Sequence, residues 1–221
     1  MRTAIGAVLV ALLLTTSGCA LLPFEASEST PPSPTPFAPS STPGADSTAG
    51  SDGSGYDSNT DTDEIVLRVS DLGPQYNFTT ESLNRRGDLS EAQAERFANQ
   101  SLLRQHQRVF TLVSETTDSN LAPVVISTVA IYESPAAAGQ QSPALIQSLR
   151  EQGATVETVE LASGYKVTQV QGQTSTGRHN TMLMWRSENL VVWLVTSSPR
   201  ENGEYQEQAR VLFIDMLVDV P

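Results

Sequence analysis

A stretch of 45 residues without hydrophobic periodicity, residues 20–64, most constrains how this 221-residue chain can fold. It is rich in Ser, Thr, Pro and Gly, and it holds eight acidic residues and no Lys or Arg. Such a composition cannot bury enough apolar surface to offset the loss of chain entropy, so we predict a disordered acidic linker at residues 19–64. Because every long apolar pattern in the mature chain follows it, the sequence predicts one folded domain at residues 65–221.

The first 18 residues have the layout of an export signal. Arg2 precedes an uncharged, mostly apolar run at residues 3–14, and small residues then lead to Cys19. A run of about a dozen apolar residues is shorter than the roughly 20 that a membrane-spanning helix needs, so cleavage is the expected fate. We therefore predict a signal peptide at residues 1–18 and export of the remaining chain.

Cys19 is the only cysteine of the chain, and it directly follows Ser17-Gly18. This arrangement resembles the lipobox of prokaryotic lipoproteins, with Thr16 where Leu, Val or Ile is usual. The resemblance implies a thioether-linked lipid on Cys19 and a membrane-anchored domain that faces outside the cytoplasm. Lipid attachment would also account for a lone thiol in an oxidising compartment. The alternative is an ordinary secretory signal followed by an incidental cysteine.

The apolar patterns of the domain have the order ββαββαββββα. This order predicts an α+β fold, in which helices, including an amphipathic C-terminal helix, pack on an antiparallel β-sheet. The predicted strands cover residues 65–69, 76–81, 107–114, 124–133, 155–161, 165–171, 180–186 and 190–196. The predicted helices begin after Ser90 and reach about residue 105, begin after Ser134 and reach residue 153 with a break at Gly139 and Pro143, and cover residues 205–220.

The last part of the domain combines a strand that begins at Gly164-Tyr165, a hairpin rich in Val and Trp, and the C-terminal helix. Over about 60 residues this pattern is similar to the photosystem extrinsic-protein (PsbP-like) fold and to related small exported lipoproteins. The scarcity of lysine, with Lys166 as the only one, and the Ser/Thr/Pro-rich linker also resemble exported lipoproteins of salt-adapted archaea. These resemblances imply a fold and a route of export, and they assign no functional residue.

The charge and the motif content exclude several functions. A formal net charge of -12 argues against a nucleic-acid partner, because phosphate binding needs clustered cations. The domain has two histidines and no cysteine, and it contains no glycine-rich phosphate loop. We therefore predict no metal and no cofactor.

Two neighbouring strands, residues 182–185 and 190–195, are apolar on both alternating faces. One interpretation is a central pair of strands that is covered on both sides of the sheet. The other is an adaptable apolar groove for a small ligand, since Met and Trp are frequent at such surfaces. The candidate groove residues are Met182, Met184, Trp185 and Trp193.

Arginine is concentrated between residues 84 and 108, where five arginines accompany three acidic residues. On the predicted helix Arg96 and Arg104 lie on one side, and Arg108 follows closely. Arg96, Arg104 and Arg108 are a candidate contact for an anion or a lipid headgroup. The alternative is a solvated helix face whose arginines pair with neighbouring glutamates.

These patterns favour a lipid-anchored extracytoplasmic protein whose domain has a non-catalytic binding or cell-envelope accessory role. Its expected partners are the membrane, through Cys19, and either an unidentified envelope protein or a small apolar ligand. One alternative is an exported hydrolase that uses His106 or His179 with carboxylates brought together by the fold. Another is a structural component of the cell surface. A histidine in a concave pocket near Asp, Glu or Ser would favour the hydrolase.

Overall fold

The computed structural model describes residues 55–113, 121–199 and 203–220. The predicted signal peptide, Cys19 and most of the predicted linker lie outside these residues. The strands are β1 Tyr76–Arg85, β2 Leu102–Leu112, β3 Val124–Tyr132, β4 Thr155–Glu160, β5 Lys166–Gln173, β6 His179–Ser187 and β7 Leu190–Ser198. The helices are α1 Val69–Leu72, α2 Glu91–Asn99, α3 Pro135–Glu151 and α4 Gly203–Val218, with a 3-10 turn at Arg86–Asp88.

The seven strands form one antiparallel sheet in the order β1-β2-β3-β7-β6-β5-β4. The predicted α+β class, with an antiparallel sheet and a packed C-terminal helix, is therefore confirmed. Within the described ranges no helix is both long and apolar enough to cross a bilayer.

The central strand β7 explains why this sheet needs helices on both faces. All of its residues are buried. Leu194 lies in the core formed with α4, whereas the neighbouring Trp193 lies in the core formed with α2 and α3. Alternate residues of one continuous apolar strand thus enter two separate cores, as expected for a strand covered on both sides.

Residues 55–67, which we name the strap, lie across the α4 face of the sheet. Ile65, Val66 and Leu67 are each at most 2% exposed, although they are consecutive. The backbone N–H of Leu67 donates to Ser127 Oγ of β3 at 3.2 Å instead of joining a strand ladder. The predicted strand at residues 65–69 is therefore wrong. The strap also adds residues 55–64, which the sequence assigns to the linker, to the folded domain.

Helix α2 is shorter than predicted. Its capping box at Ser90 and Gln93 is present, but the helix ends at Asn99. Ser101 follows with a φ of 53°, a left-handed conformation that ends a helix, and β2 starts at Leu102. The apolar residues that predict one helical stripe up to residue 105 therefore belong to two elements, the end of α2 and the start of β2.

Helix α3 is continuous, although the sequence predicts a break at Gly139 and Pro143. The Ser134 side chain caps its first turn by accepting from the Ala137 N–H at 3.1 Å, and Pro135 occupies the first helical position. Pro143 lies inside the helix on its exposed side. The packing of Ala138 and Leu149 against the sheet outweighs the local helix-breaking signals.

Candidate functional site

The four candidate groove residues do not share one surface. Met182, Met184 and Trp193 are at most 4% exposed and pack in the core beneath α3. Trp185 lies on the opposite face, where its ring meets the Tyr165 ring edge to face at a centroid distance of 5.6 Å. The predicted apolar groove is therefore wrong for these residues, and the alternative of two strands covered on both faces is correct.

The three candidate anion-binding arginines are also separated. Arg96 is exposed on α2, whereas Arg104 and Arg108 lie on β2. Arg104 is 3% exposed, and its Nη1 donates to the backbone carbonyls of Thr60 at 2.6 Å and Ser58 at 3.3 Å. The predicted joint anion contact is wrong, because the helix that would have aligned the arginines ends before Arg104.

His106 on β2 is buried in a polar network between the strap and strand β1. Its Nδ1 lies 3.0 Å from Thr62 Oγ1, and its Nε2 lies 2.7 Å from Glu81 Oε1. Because a carboxylate only accepts, Nε2 carries the proton and Nδ1 accepts from the Thr62 hydroxyl. Both ring nitrogens are thus engaged within the fold, which leaves neither to act on a substrate.

Arg108 completes this network. Its Nε donates to Glu81 Oε1 at 2.8 Å, and its Nη2 pairs with Asp63. Atoms of Asp63, Glu81 and His106 that could bind a metal lie within 4.8 Å of one another, but the Arg108 guanidinium already supplies the positive charge between the two carboxylates. The network therefore fastens the strap to the sheet, and we assign no metal to it.

The protonation of this network follows from its burial and its partners. Burial lowers the pKa of His106 below its ordinary value, and the hydrogen bond to Glu81 opposes that change. The same hydrogen bond, donated by His106, lowers the pKa of Glu81. The folded protein therefore holds a neutral imidazole beside an ionised carboxylate.

His179 lies elsewhere, in an open cleft of about 220 Å³ at one end of the sheet. The cleft is bounded by the ends of β5 and β7, the starts of β4 and β6, and the first turn of α4. Gln173 Nε2 lies 3.3 Å from His179 Nε2, so the amide donates and the ring nitrogen accepts. His179 is thus placed in a concave site with Ser198 opposite it on β7, as the hydrolase alternative required, but its ring nitrogen accepts from the Gln173 amide.

The floor of the cleft consists of two cross-strand rows of polar residues. Their positions alternate with the apolar core, and the strand register places every member of both rows on the α4 face. Tyr205 and Gln206 of α4 contribute to the lining from above. The first row is Thr155, Gln171, Thr181 and Thr196, and the second is Gln173, His179 and Ser198.

This lining carries no ionised side chain among the residues that the structure describes. Its members are Thr, Gln, Ser, Asn, Tyr, Gly and one His. Two cations of the described residues near the cleft are held by other groups: Arg178 Nε donates to Ser197 Oγ at 3.0 Å, and Arg210 donates to Gln169 Oε1 through two nitrogens at 3.1 and 3.2 Å. The cleft therefore offers neutral hydrogen-bonding groups to a ligand.

Asn180 also lines the cleft, although its side chain starts on the opposite face of β6 from His179 and Thr181. The residue is 7% exposed, and its Oδ1 has no hydrogen-bond partner in the described part of the chain. A buried acceptor without a partner costs about 1–3 kcal/mol. This oxygen is enclosed by the fold and starts on the far side of β6 from the floor, so it is not among the groups that the cleft offers to a ligand.

Sequence reasoning missed the cleft, although the sequence contains a signal for it. The β6–β7 hairpin is apolar near its turn and polar at its far end, where His179-Asn180-Thr181 faces Thr196-Ser197-Ser198. Because Ser187 pairs with Leu190 at the turn, the register places Thr181 opposite Thr196. Reading the polar end together with the register would have located two strands of the floor.

Comparisons with known proteins do not assign a function to this site. No family model matches the sequence, and no curated protein matches it. Among solved structures, the extracellular domain of PknH from Mycobacterium tuberculosis is similar with a TM-score of 0.39 and 9% identity, over 70% of this chain and 93% of that chain. A likeness at this level leaves the function to be argued from the residues of this chain.

Proposed function

We propose that this protein is an exported, lipid-anchored binding protein whose domain holds a small ligand in the polar cleft without acting on it chemically. The single observation that carries the binding role is the cleft itself, with two ordered rows of neutral hydrogen-bonding side chains. Concave sites with convergent polar groups are the usual places where proteins bind small molecules. Export and anchoring rest on the signal layout of residues 1–18 and on Cys19.

The composition of the cleft favours binding over hydrolysis. Hydrolysis by general acid–base catalysis needs a proton donor or acceptor in contact with the substrate, commonly a carboxylate paired with a histidine. His179 and Tyr205 are the titratable residues of the described lining. Ser198 lies opposite His179, but no carboxylate of that lining lies with them to orient the histidine. The other histidine, His106, has both ring nitrogens engaged.

A substitution that fills the cleft tests this proposal. Thr155 lies on the exposed edge strand β4 and lines the cleft, so Thr155→Tyr places a ring in the site at little cost to the core. Thr158→Tyr is the matched control, because residue 158 is exposed on the opposite face of the same strand. The probes are neutral, cationic and anionic fragments, screened against the full chain by ligand-observed NMR.

We expect at least one class of fragment to bind the wild type, to lose binding with Thr155→Tyr and to keep it with Thr158→Tyr. The proposal fails if no fragment binds. It also fails if the fragments that bind respond equally to both substitutions.

A further inference from the structure

The chemistry of the cleft also restricts the class of ligand, on the assumption that the cleft is the binding site proposed above. A ligand with a net charge would leave water for a site whose described lining offers no opposite charge. Burial of an uncompensated charge is strongly unfavourable. The lining, as far as the structure describes it, therefore favours an uncharged ligand.

The hydrogen-bonding groups of the floor each donate and accept. Thr155, Thr181 and Thr196 present hydroxyls, and Gln171 presents an amide between the first two. A ligand that satisfies such a row needs several neighbouring groups that also donate and accept. Adjacent hydroxyls on one ring have this property, whereas isolated carbonyl or amine groups do not.

The size of the cleft agrees with this choice. The volume of about 220 Å³ is below the range of about 300–1,000 Å³ that is typical for drug-sized ligands, so the cleft suits a single small ring.

We propose that the cleft binds one uncharged, polyhydroxylated ring, that is, a neutral sugar unit. The hydroxyl and amide rows on β4, β5, β6 and β7 hydrogen-bond to its hydroxyls. Tyr205 and Gln206 of α4 close the site from the other side. The cleft binds this ring and leaves its bonds intact.

The test compares sugars that differ in charge at one position. The neutral probes are methyl glucoside and N-acetylglucosamine, the cationic probe is glucosamine, and the anionic probe is glucuronate. An uncharged blocked amino acid, N-acetylalanine amide, represents a ligand without adjacent hydroxyls. Each is titrated into the full chain in a detergent that has no sugar headgroup, and the dissociation constant is measured by NMR.

The variant is Gln171→Met, which removes an amide from the centre of the floor and keeps the length of the side chain. The control is Gln105→Met, because Gln105 is equally half-buried but lies on β2, outside the cleft lining. Thermal unfolding of both variants verifies that they fold.

We expect a neutral sugar to bind the wild type at least tenfold more tightly than glucosamine, glucuronate or the blocked amino acid. We also expect Gln171→Met to weaken this binding at least tenfold and Gln105→Met to leave it unchanged.

Two results would overturn the sugar assignment. In the first, a charged sugar or the blocked amino acid binds as tightly as the neutral sugars, and Gln171→Met weakens its binding. In the second, no sugar binds while other fragments bind in a way that Thr155→Tyr blocks. Both results refute the ligand class and leave the proposed binding function standing, whereas failure of every fragment to bind refutes the binding function itself.

Discussion

For single residues, the main finding is that polar side chains predicted to contact a ligand hold the strap on the sheet instead. Arg104 and His106 are each at most 3% exposed, and both bond to groups of the strap. The sequence does not show that these residues are buried, because Arg and His are usually exposed and their partners in the strap lie more than 40 positions earlier in the chain. Only the position of β2 beneath the strap reveals their role.

His106 should make the stability of the domain depend on pH. Its pKa is lowered in the fold, so the unfolded chain, with a pKa near the ordinary 6.5, binds the proton first. The stability that His106 provides is therefore complete above pH 6.5 and is lost as the pH falls from 6.5 toward its lowered pKa. Glu81, whose pKa is also lowered from 4.5, loses its contribution only at more acidic pH.

We expect His106→Asn to reduce the slope of unfolding free energy against pH just below pH 6.5, by up to about 1.4 kcal/mol per pH unit. Denaturant titrations at a series of pH values measure this slope. Gln107→Asn is the control, since it removes a hydrogen bond to Thr128 from the same strand without removing a titrating group. An unchanged slope in His106→Asn would refute the role assigned to His106.

Arg104 should be needed to hold the strap against β2. In Arg104→Met the carbonyls of Ser58 and Thr60 lose their buried donor, so we expect a destabilisation of about 1–3 kcal/mol. Amide hydrogen exchange should accelerate across residues 58–67. Arg96→Met, on the exposed side of α2, should leave exchange in the strap unchanged. If exchange accelerates in neither variant, Arg104 does not fasten the strap.

At the scale of elements, the sequence predicts what periodicity can reveal and fails where local signals conflict with packing. Strands β3, β6 and β7 and helix α4 appear within about three residues of the predicted bounds, because each has a long, regular apolar pattern. The strand predicted at residues 65–69 fails because a β-branched, apolar run also suits a segment that is buried flat on a sheet. The break predicted in α3 fails because burial of one helix face stabilises the helix across Pro143.

Pro143 should therefore lower the stability of α3 relative to a helix without proline at this position. It removes one backbone N–H from the interior of α3, a defect that costs up to about 3 kcal/mol in helices. Because the residue is exposed, we expect Pro143→Ala to raise the free energy of unfolding by about 1–3 kcal/mol.

Pro135 provides the matched control. At the first helical position proline loses no helical hydrogen bond, so Pro135→Ala should be neutral or slightly destabilising. Thermal unfolding of the two variants measures the difference. If the free energy of unfolding changes equally in Pro143→Ala and Pro135→Ala, Pro143 does not destabilise α3.

For the whole molecule, the inclusion of the strap in the domain changes how the negative charge is divided between the two parts of the chain. Residues 20–54 contain four acidic residues, whereas residues 55–221 contain 21 acidic residues and 12 Lys plus Arg. The larger part of the net charge of -12 therefore belongs to residues 55–221 and not to residues 20–54. Against this acidic background the described lining of the cleft, which contains no Asp, Glu, Lys or Arg, is chemically distinct, and this agrees with the proposed uncharged ligand.

We propose that Cys19 holds the domain at a membrane surface after removal of a signal peptide. Mass spectrometry of the N-terminal peptide of the mature protein, together with membrane fractionation of the wild type and Cys19→Ser, tests this anchoring. We predict a peptide that begins at Cys19 and carries a covalent lipid, and a Cys19→Ser protein that is released from the membrane fraction. An unmodified or differently placed N-terminus, with membrane association unchanged in Cys19→Ser, would contradict the claim.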